Sequence, residues 1–332
     1  MNGKGKGSPV SGWLLVPLAA FVWSISTSAA DYPARPLRLV ITFPPGGSAD
    51  FQARIIGARL SEQLGQQIVV DNRSGASGIV ALELVAKSPA DGYSLLLASS
   101  SSLCINPSIF SKLPYDSVKD FAPITMTSRT TLALAAGPSF PASSVKELIA
   151  LAKASPGKLS YGSTGVGNVT HLAGEMLKSL GGVDLVHVPY RGAGPQMIDV
   201  MSGNVSVGFT SLTAAVPHMR SGRLKVLVVT SKQRSSAAPD VPTVSEVGMP
   251  DIEIATGWFG ILAPVHTSKT VLSRLHAEIV KTIHMPEVQA QFIGQGLDPA
   301  TSTADEFSAL IKSDLAKWAR VVKQVGIRAQ SY

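Results

Sequence analysis

The stretch Leu37–Asp50, LRLVITFPPGGSAD, decides how the chain is read. Leu37–Phe43 is a β-rich apolar run that predicts a strand, and Pro44-Pro45-Gly46-Gly47 stops it. Ala49–Leu64 follows with Phe51, Ile55, Ile56, Leu60 and Leu64 near helical spacing, and Gly65 closes it. The unit recurs. Gln67–Val70 predicts a strand, Ile79–Ala86 a helix, and Ser94–Ala98 a strand that runs into Ser99, Ser100, Ser101 and Ser102. The pattern restarts after Asp120. Extended Thr131–Ala136, helical Val145–Ala154 and a short strand Leu159–Tyr161 lead into the turn Gly162–Gly167 and a helix Val169–Leu180. Strand Leu185–Val188 opens into Pro189–Gly192, a helix spans Pro195–Met201, and strand Val205–Phe209 runs into Thr210-Ser211. Leu224–Thr230 is a further strand. Trp258–Leu262 returns to a strand before two or three helices, the last being Asp305–Val325. This alternation predicts an α/β fold with mostly parallel sheets. A length of 332 residues suggests two domains or one large one.

Several of these strands end in small, polar, glycine-bearing turns, and three of the turns open a helix. Ligands of open parallel sheets bind beyond the carboxyl ends of the strands. A helix N-terminus there offers unsatisfied N–H groups and the positive end of a dipole. Pro44–Ser48 and Gly162–Gly167 are therefore the two best candidates for holding a carboxylate or phosphate. The alternative is an ordinary βα turn, where glycine and serine are common. Asp50, in the first turn of its helix, either complements the dipole, or orients the loop or accepts from a ligand ammonium or amide.

Composition narrows the function classes. Hydrophobic residues make up 45% and charged residues 15%, so a sizeable core is expected rather than disorder. The single cysteine, Cys104, excludes an internal disulfide framework, a cysteine-cluster metal site and a lipobox. The net charge of +7 is spread thinly, without a basic helix or a Lys/Arg run, which argues against nucleic acid and suits small anions. No Walker A, H-E-x-x-H or G-x-S-x-G motif occurs, so no cofactor or catalytic centre is expected. Gly162-x-x-Gly165-x-Gly167 is out of order for a dinucleotide fingerprint. The six histidines show no metal-ligand spacing; His171, beside a glycine-rich turn, either touches a ligand or packs in the core. Trp258 and Trp318 are read as core anchors. Lys4 and Lys6, the apolar run from Val10 to about Ile25 and the small residues Ser26–Ala30 predict a secretory signal peptide over residues 1–30, cut after Ala30. The alternative is an N-terminal membrane anchor. Cleavage would leave 27 basic and 22 acidic residues, a net charge of +5.

From Tyr32-Pro-x-Arg-Pro onward the motifs resemble one family. They include FPPGGSAD (Phe43–Asp50), LSEQLGQQIVVDNRSGASG (Leu60–Gly78), SPADGYSLLLA (Ser88–Ala98) and NPSIFSKLPYDSVKDFAPIT (Asn106–Thr125). They continue through VKELIALAKASPGKLSYGS (Val145–Ser163), HLAGEMLKSL (His171–Leu180), VHVPYRG (Val186–Gly192), APDVPTVSEVGMP (Ala238–Pro250), GWFGILAP (Gly257–Pro264) and KWARVVKQVGI (Lys317–Ile327). The chain resembles the Bug-type periplasmic solute-binding receptors, the extracytoplasmic components of tripartite tricarboxylate transporters.

The resemblance implies a two-lobed, type II periplasmic-binding-protein fold with the ligand in the cleft. Residues 31–128 plus 257–332 would form lobe one and residues 129–256 lobe two. It implies first-lobe contacts from Phe43, Gly46, Gly47, Ser48 and Asp50 and from Ser99, Ser100, Ser101 and Ser102. Second-lobe contacts would come from Ser163, Thr164, Gly165 and Asn168, from Tyr190 and Gly192, and from Thr210 and Ser211. Relatives often carry an aspartate where Thr210 stands, so its loss leans toward a purely anionic ligand. The expected protein is a non-enzymatic monomer without metal. It would capture a small di- or tricarboxylic or aromatic acid in the periplasm and deliver it to membrane transporter subunits. A ligand-presenting partner of a membrane sensor and a secreted α/β hydrolase are the alternatives.

Overall fold

The computed structural model describes residues 1–3, 5 and 32–327, so the predicted signal peptide lies outside the described residues. All regular elements belong to the compact unit Pro33–Tyr332. The first half runs β1 (Leu37–Ile41), α1 (Ser48–Leu64), β2 (Ile68–Asn72), α2 (Ile79–Ala86), β3 (Ser94–Ser99), α3 (Asn106–Ile109) and β4 (Phe121–Thr130). Next come β5 (Leu132–Ala136), α4 (Val145–Ala154), β6 (Ser160–Ser163), α5 (Val169–Gly181), β7 (Val186–Pro189), α6 (Ala193–Ser202), β8 (Val207–Ser211), α7 (Leu212–Arg220) and β9 (Lys225–Val229). The chain ends with β10 (Gly257–Pro264), α8 (Lys269–Ile283), α9 (Pro286–Gly294), β11 (Leu297–Pro299) and α10 (Ala304–Gln324).

The strands build two sheets. One has the order β11-β4-β10-β3-β1-β2 and the other β7-β6-β8-β5-β9. Leu39, Val40, Ile41, Leu96 and Leu97 are fully buried, as expected of strands covered on both faces by helices. Helix starts follow local chemistry. Ser144 accepts from Glu147 N to start α4, and Thr303 and Glu306 form a reciprocal capping box on α10.

Most strands of each sheet run the same way, as expected, with β10 and β11 reversed in the first sheet and β5 in the second. β1 runs parallel to β2 and β3, and β6 parallel to β7 and β8. β10 lies antiparallel to β3 and β4, and β5 antiparallel to β8 and β9. The reason is the passage between sheets. β4 ends at Thr130 in one sheet and β5 begins at Leu132 in the other, so no helix intervenes to reverse the chain. The return runs from β9 through a 3-10 turn, Pro250–Ala255, into β10. β4 and β11 add strands that the sequence reading lacks.

Candidate functional site

The carboxyl ends of β1, β3, β6, β7 and β8 converge, and their turns enclose two adjoining cavities. The inner one, about 70 Å³, is lined by Phe43, Pro44, Gly47, Ser48, Ala49, Ser99, Ser100 and Ser101 on the first-sheet side. Thr164, Asn168, Val169, Thr170, Gly192, Ala193 and Ser211 line it from the second, and Thr130, Leu132 and Gly257–Phe259 from the connecting strands. The outer one, about 590 Å³, shares Phe43, Pro44, Ser101, Thr164, Asn168 and Gly192 with it. It adds Thr42, the loop 74–78, Asn106, Gly165, Val166 and 189–191.

Two helix N-termini reach the inner cavity without a side-chain cap. Helix α1 starts at Gly47 and α6 at Gly192, and neither receives a side-chain hydrogen bond at its first turn. The Ser48 hydroxyl, in a residue only 4% exposed, has no partner among the described residues. Buried polar groups are normally paired, so this hydroxyl is a candidate partner for a ligand oxygen at the cavity wall. Among the described residues, none lining the inner cavity carries a charged side chain. Two positive helix ends facing a lining without acidic side chains make a candidate site for an anion; the one acid in the first turn of α1, Asp50, is turned to Gly46 N, Arg54 and Asn72 instead.

Helix α5 behaves differently. Its Asn168 cap accepts from Thr170 N at 3.0 Å, Thr170 Oγ1 accepts from Thr164 N at 2.9 Å, and Val169 N donates to Ser101 Oγ at 3.2 Å. Thus the turn Gly162–Gly167, one of the two anion candidates in the sequence, opens a helix whose first amides are already satisfied. The Pro44–Ser48 turn is the open one. Behind the 162–167 turn, Ser163 Oγ meets His187 Nε2 at 2.7 Å. The His187 ring stacks on His171 at 4.0 Å and on Tyr161 at 4.9 Å. His171 Nδ1 accepts from Gly167 N, so the imidazoles brace the turn from behind and His171 packs in the core. Burial lowers the pKa of both, and with His171 alongside, that of His187 falls to about 4.

Asp50 braces the opposite turn. Its carboxylate accepts from Gly46 N at 3.2 Å, Arg54 Nε at 3.1 Å and Asn72 Nδ2 at 3.2 Å. Burial alone would raise its pKa, but the bonds from Arg54, Gly46 and Asn72 outweigh it and hold the carboxyl below its ordinary value. Asn72 also donates to Phe43 O, which ties the turn to β2. Across the cleft, Ser77 Oγ donates to Val166 O at 2.9 Å.

Of the predicted contacts, Phe43, Gly47, Ser48, Ser99, Ser100, Ser101, Thr164, Asn168, Gly192 and Ser211 line the inner cavity. Gly165 and Tyr190 line the outer one. Gly46, Asp50, Ser102, Ser163 and Thr210 line neither and stand behind the walls. Ser102 bonds Ser99, and Tyr190 OH donates to Asp199. Thr210 is fully buried in β8, with Oγ1 unpartnered. Sequence reasoning missed the walls from Thr130, Leu132, Gly257 and Phe259, and the use of Trp258 as a wall as well as a core anchor. Trp258 Nε1 donates to Asp314 Oδ2 at 2.7 Å. It also missed the loop Ser74–Gly78, although that loop shows the same small-polar and glycine signature as the turns that were singled out.

This geometry has close counterparts. Residues 52–327 match the family described as "Tripartite tricarboxylate transporter family receptor". Protein BugT of Bordetella pertussis is 36% identical over 302 residues, 91% of this chain and 92% of BugT. The solved structure "R. palustris Rpa4515 with adipate" is 33% identical with a TM-score of 0.87, over 90% of this chain and 100% of that one. The "periplasmic binding protein BugD" structure is 30% identical with a TM-score of 0.85, over 90% of this chain and 100% of that one. The two sheets with their cleft are the two-lobed fold of such binding proteins. With its sequence matched over residues 52–327 and its fold shared across almost the whole chain, this protein belongs to the receptor family of the tripartite tricarboxylate transporters, whose members bind solutes and are not enzymes.

Proposed function

We propose that this chain is a periplasmic receptor that closes around a small carboxylate and delivers it to membrane subunits of a tripartite transporter. The carrying observation is the buried, unpartnered Ser48 hydroxyl at the wall where the uncapped ends of α1 and α6 meet. One carboxylate oxygen takes the first amides of α1 and the Ser48 hydroxyl. The other faces the start of α6 and the hydroxyls of Thr164 and Ser211. The absence of any acidic side chain on the lining favours a carboxylate over an ammonium group. Adipate in the Rpa4515 structure supports the ligand class, and the periplasmic BugD structure supports the location.

Residues 31–128 plus 257–332 and residues 129–256 act as the two lobes of a monomer. The ligand contacts both only when they are together, so it shifts an open–closed equilibrium. The Ser77–Val166 and Val169–Ser101 hydrogen bonds link the two sets of turns in the closed arrangement.

The test is a thermal-shift screen of the purified protein against dicarboxylates, citrate, aromatic acids, acidic amino acids and nicotinamide. A ligand at a hundred times its Kd adds ~2.7 kcal/mol, a rise of about 4 °C for a chain of this size. A rise with carboxylates that Gly47→Trp and Thr164→Trp abolish, in variants that still fold, supports the reading. A rise with neutral or cationic compounds alone refutes it.

A further inference from the structure

The inner cavity is too small for most carboxylic acids. At about 70 Å³ it has roughly half the volume of a protein cavity that takes benzene, which is about 150 Å³. It holds one carboxylate and a methylene or two. The rest of any larger ligand extends into the adjoining outer cavity of about 590 Å³. That chamber is unlike an apolar pocket. Ser74, Ser77, Asn106 and Thr164 stand on its walls, and among its described lining residues Arg191 is the one charged side chain. Arg191 is exposed and forms no ion pair with a described residue. No carboxylate lines the chamber to neutralise it. Asn106, only 1% exposed, keeps its Oδ1 unpartnered while its amide donates to Ser77 O and Tyr115 OH. An unpartnered acceptor calls for a donor, such as a hydroxyl on the ligand chain or a bridging water.

We propose that Arg191 determines specificity by pairing with a second anionic group. The receptor then selects a dicarboxylate long enough to place its far carboxylate in the outer chamber, over the monocarboxylate of equal length. This rests on the inner cavity being the site of the first carboxylate. A guanidinium presents a planar fork that fits a carboxylate with two parallel hydrogen bonds. A cation at the mouth also discriminates against an apolar tail, which would strip its water without pairing it.

The experiment is isothermal titration of the wild type and Arg191→Gln with glutarate, adipate and pimelate, each against its monocarboxylate of the same carbon number. In the wild type the dicarboxylate of the best-fitting length binds about tenfold tighter or more. In Arg191→Gln that preference falls to about twofold because dicarboxylate affinity drops, while monocarboxylate affinity holds or rises modestly and the ligand-free melting temperature is unchanged. Raising the ionic strength weakens the wild-type preference and not that of the variant. Arg191→Gln that keeps the full preference, or that weakens both acids equally, overturns the assignment while leaving the carboxylate receptor standing. Binding of no carboxylate to the wild type overturns both.

Discussion

Replacing Gly192 with alanine tests whether the turns of the two sheets meet in the liganded protein. Gly192 has φ +109° and ψ 179°, a region that is essentially restricted to glycine. A side chain there costs about 1–3 kcal/mol in any state that keeps the turn. A second cost arises across the cleft. A Cβ on Gly192 would lie 2.5 Å from Pro44 Cγ and 3.3 Å from Pro44 Cδ. Pro44 is a rigid ring on the turn after β1 and cannot swing away as the tip of a flexible side chain would. Overpacking of this kind costs about 1–3 kcal/mol, and only when the two turns are together.

The two costs separate in solution. The backbone term lowers the ligand-free melting temperature by about 2–5 °C. The steric term weakens carboxylate binding by a further ~5–150-fold, because it opposes closure. Gly194→Ala is the control. It lies two residues on in α6, has open space around it, and should gain about 0.5–1 kcal/mol of stability with unchanged affinity. Titration calorimetry gives the affinity, and small-angle scattering with and without ligand gives the compaction. Gly192→Ala that binds as tightly as wild type and compacts as fully would refute the reading that Pro44 and Gly192 approach in the bound state.

Three more outcomes are expected. Ser48→Ala should weaken carboxylate binding about 5–20-fold by calorimetry. It should leave the ligand-free melting temperature unchanged or slightly higher, because it removes a buried hydroxyl that has no partner. Asp314→Ala leaves the buried Trp258 indole N–H without its acceptor and Lys317 without its 2.7 Å ion pair, so urea unfolding should show a loss of about 1–3 kcal/mol. The third outcome is a pH dependence from the stacked imidazoles. Burial and the neighbouring His171 hold His187 neutral, with a pKa of about 4 against the ordinary 6.5, and burial lowers His171 in the same direction. The unfolded chain therefore binds protons first as pH falls. The stability from this pair is complete above about pH 6.5 and is lost as pH falls toward 4. Discounted for the solvent that reaches the His187 ring, the loss is on the order of 1–2 kcal/mol. Denaturation curves at pH 7.5, 5.5 and 4.5 check it, and His187→Gln should flatten the dependence.

The physics also explains which parts were legible in the chain and which were not. Helices Ile79–Ala86 and Val145–Ala154 fall where the apolar periodicity and the flanking turn residues place them, because those signals are local. Strand β4, FAPITMTSRT, carries Pro123 and a run of threonine and serine, so nothing local marks it as a strand. It is held by its long antiparallel pairing with β10, more than a hundred residues later in the chain. The same distance hides the site walls at Thr130, Leu132 and Gly257–Phe259, which exist only once the chain has passed between sheets and returned. The Pro44–Ser48 turn was legible because a strand end, glycines and a helix start are adjacent in sequence. Thr210 shows the limit of motif transfer. In β8, Thr210 and Ser211 point to opposite sides of the strand, and Ser211, not Thr210, reaches the cavity. A one-residue difference in strand parity decides which side chain faces the cavity. The lean toward an anion inferred from Thr210 therefore has a firmer basis elsewhere, in the uncapped helices α1 and α6 and in the lack of any carboxylate on either cavity wall.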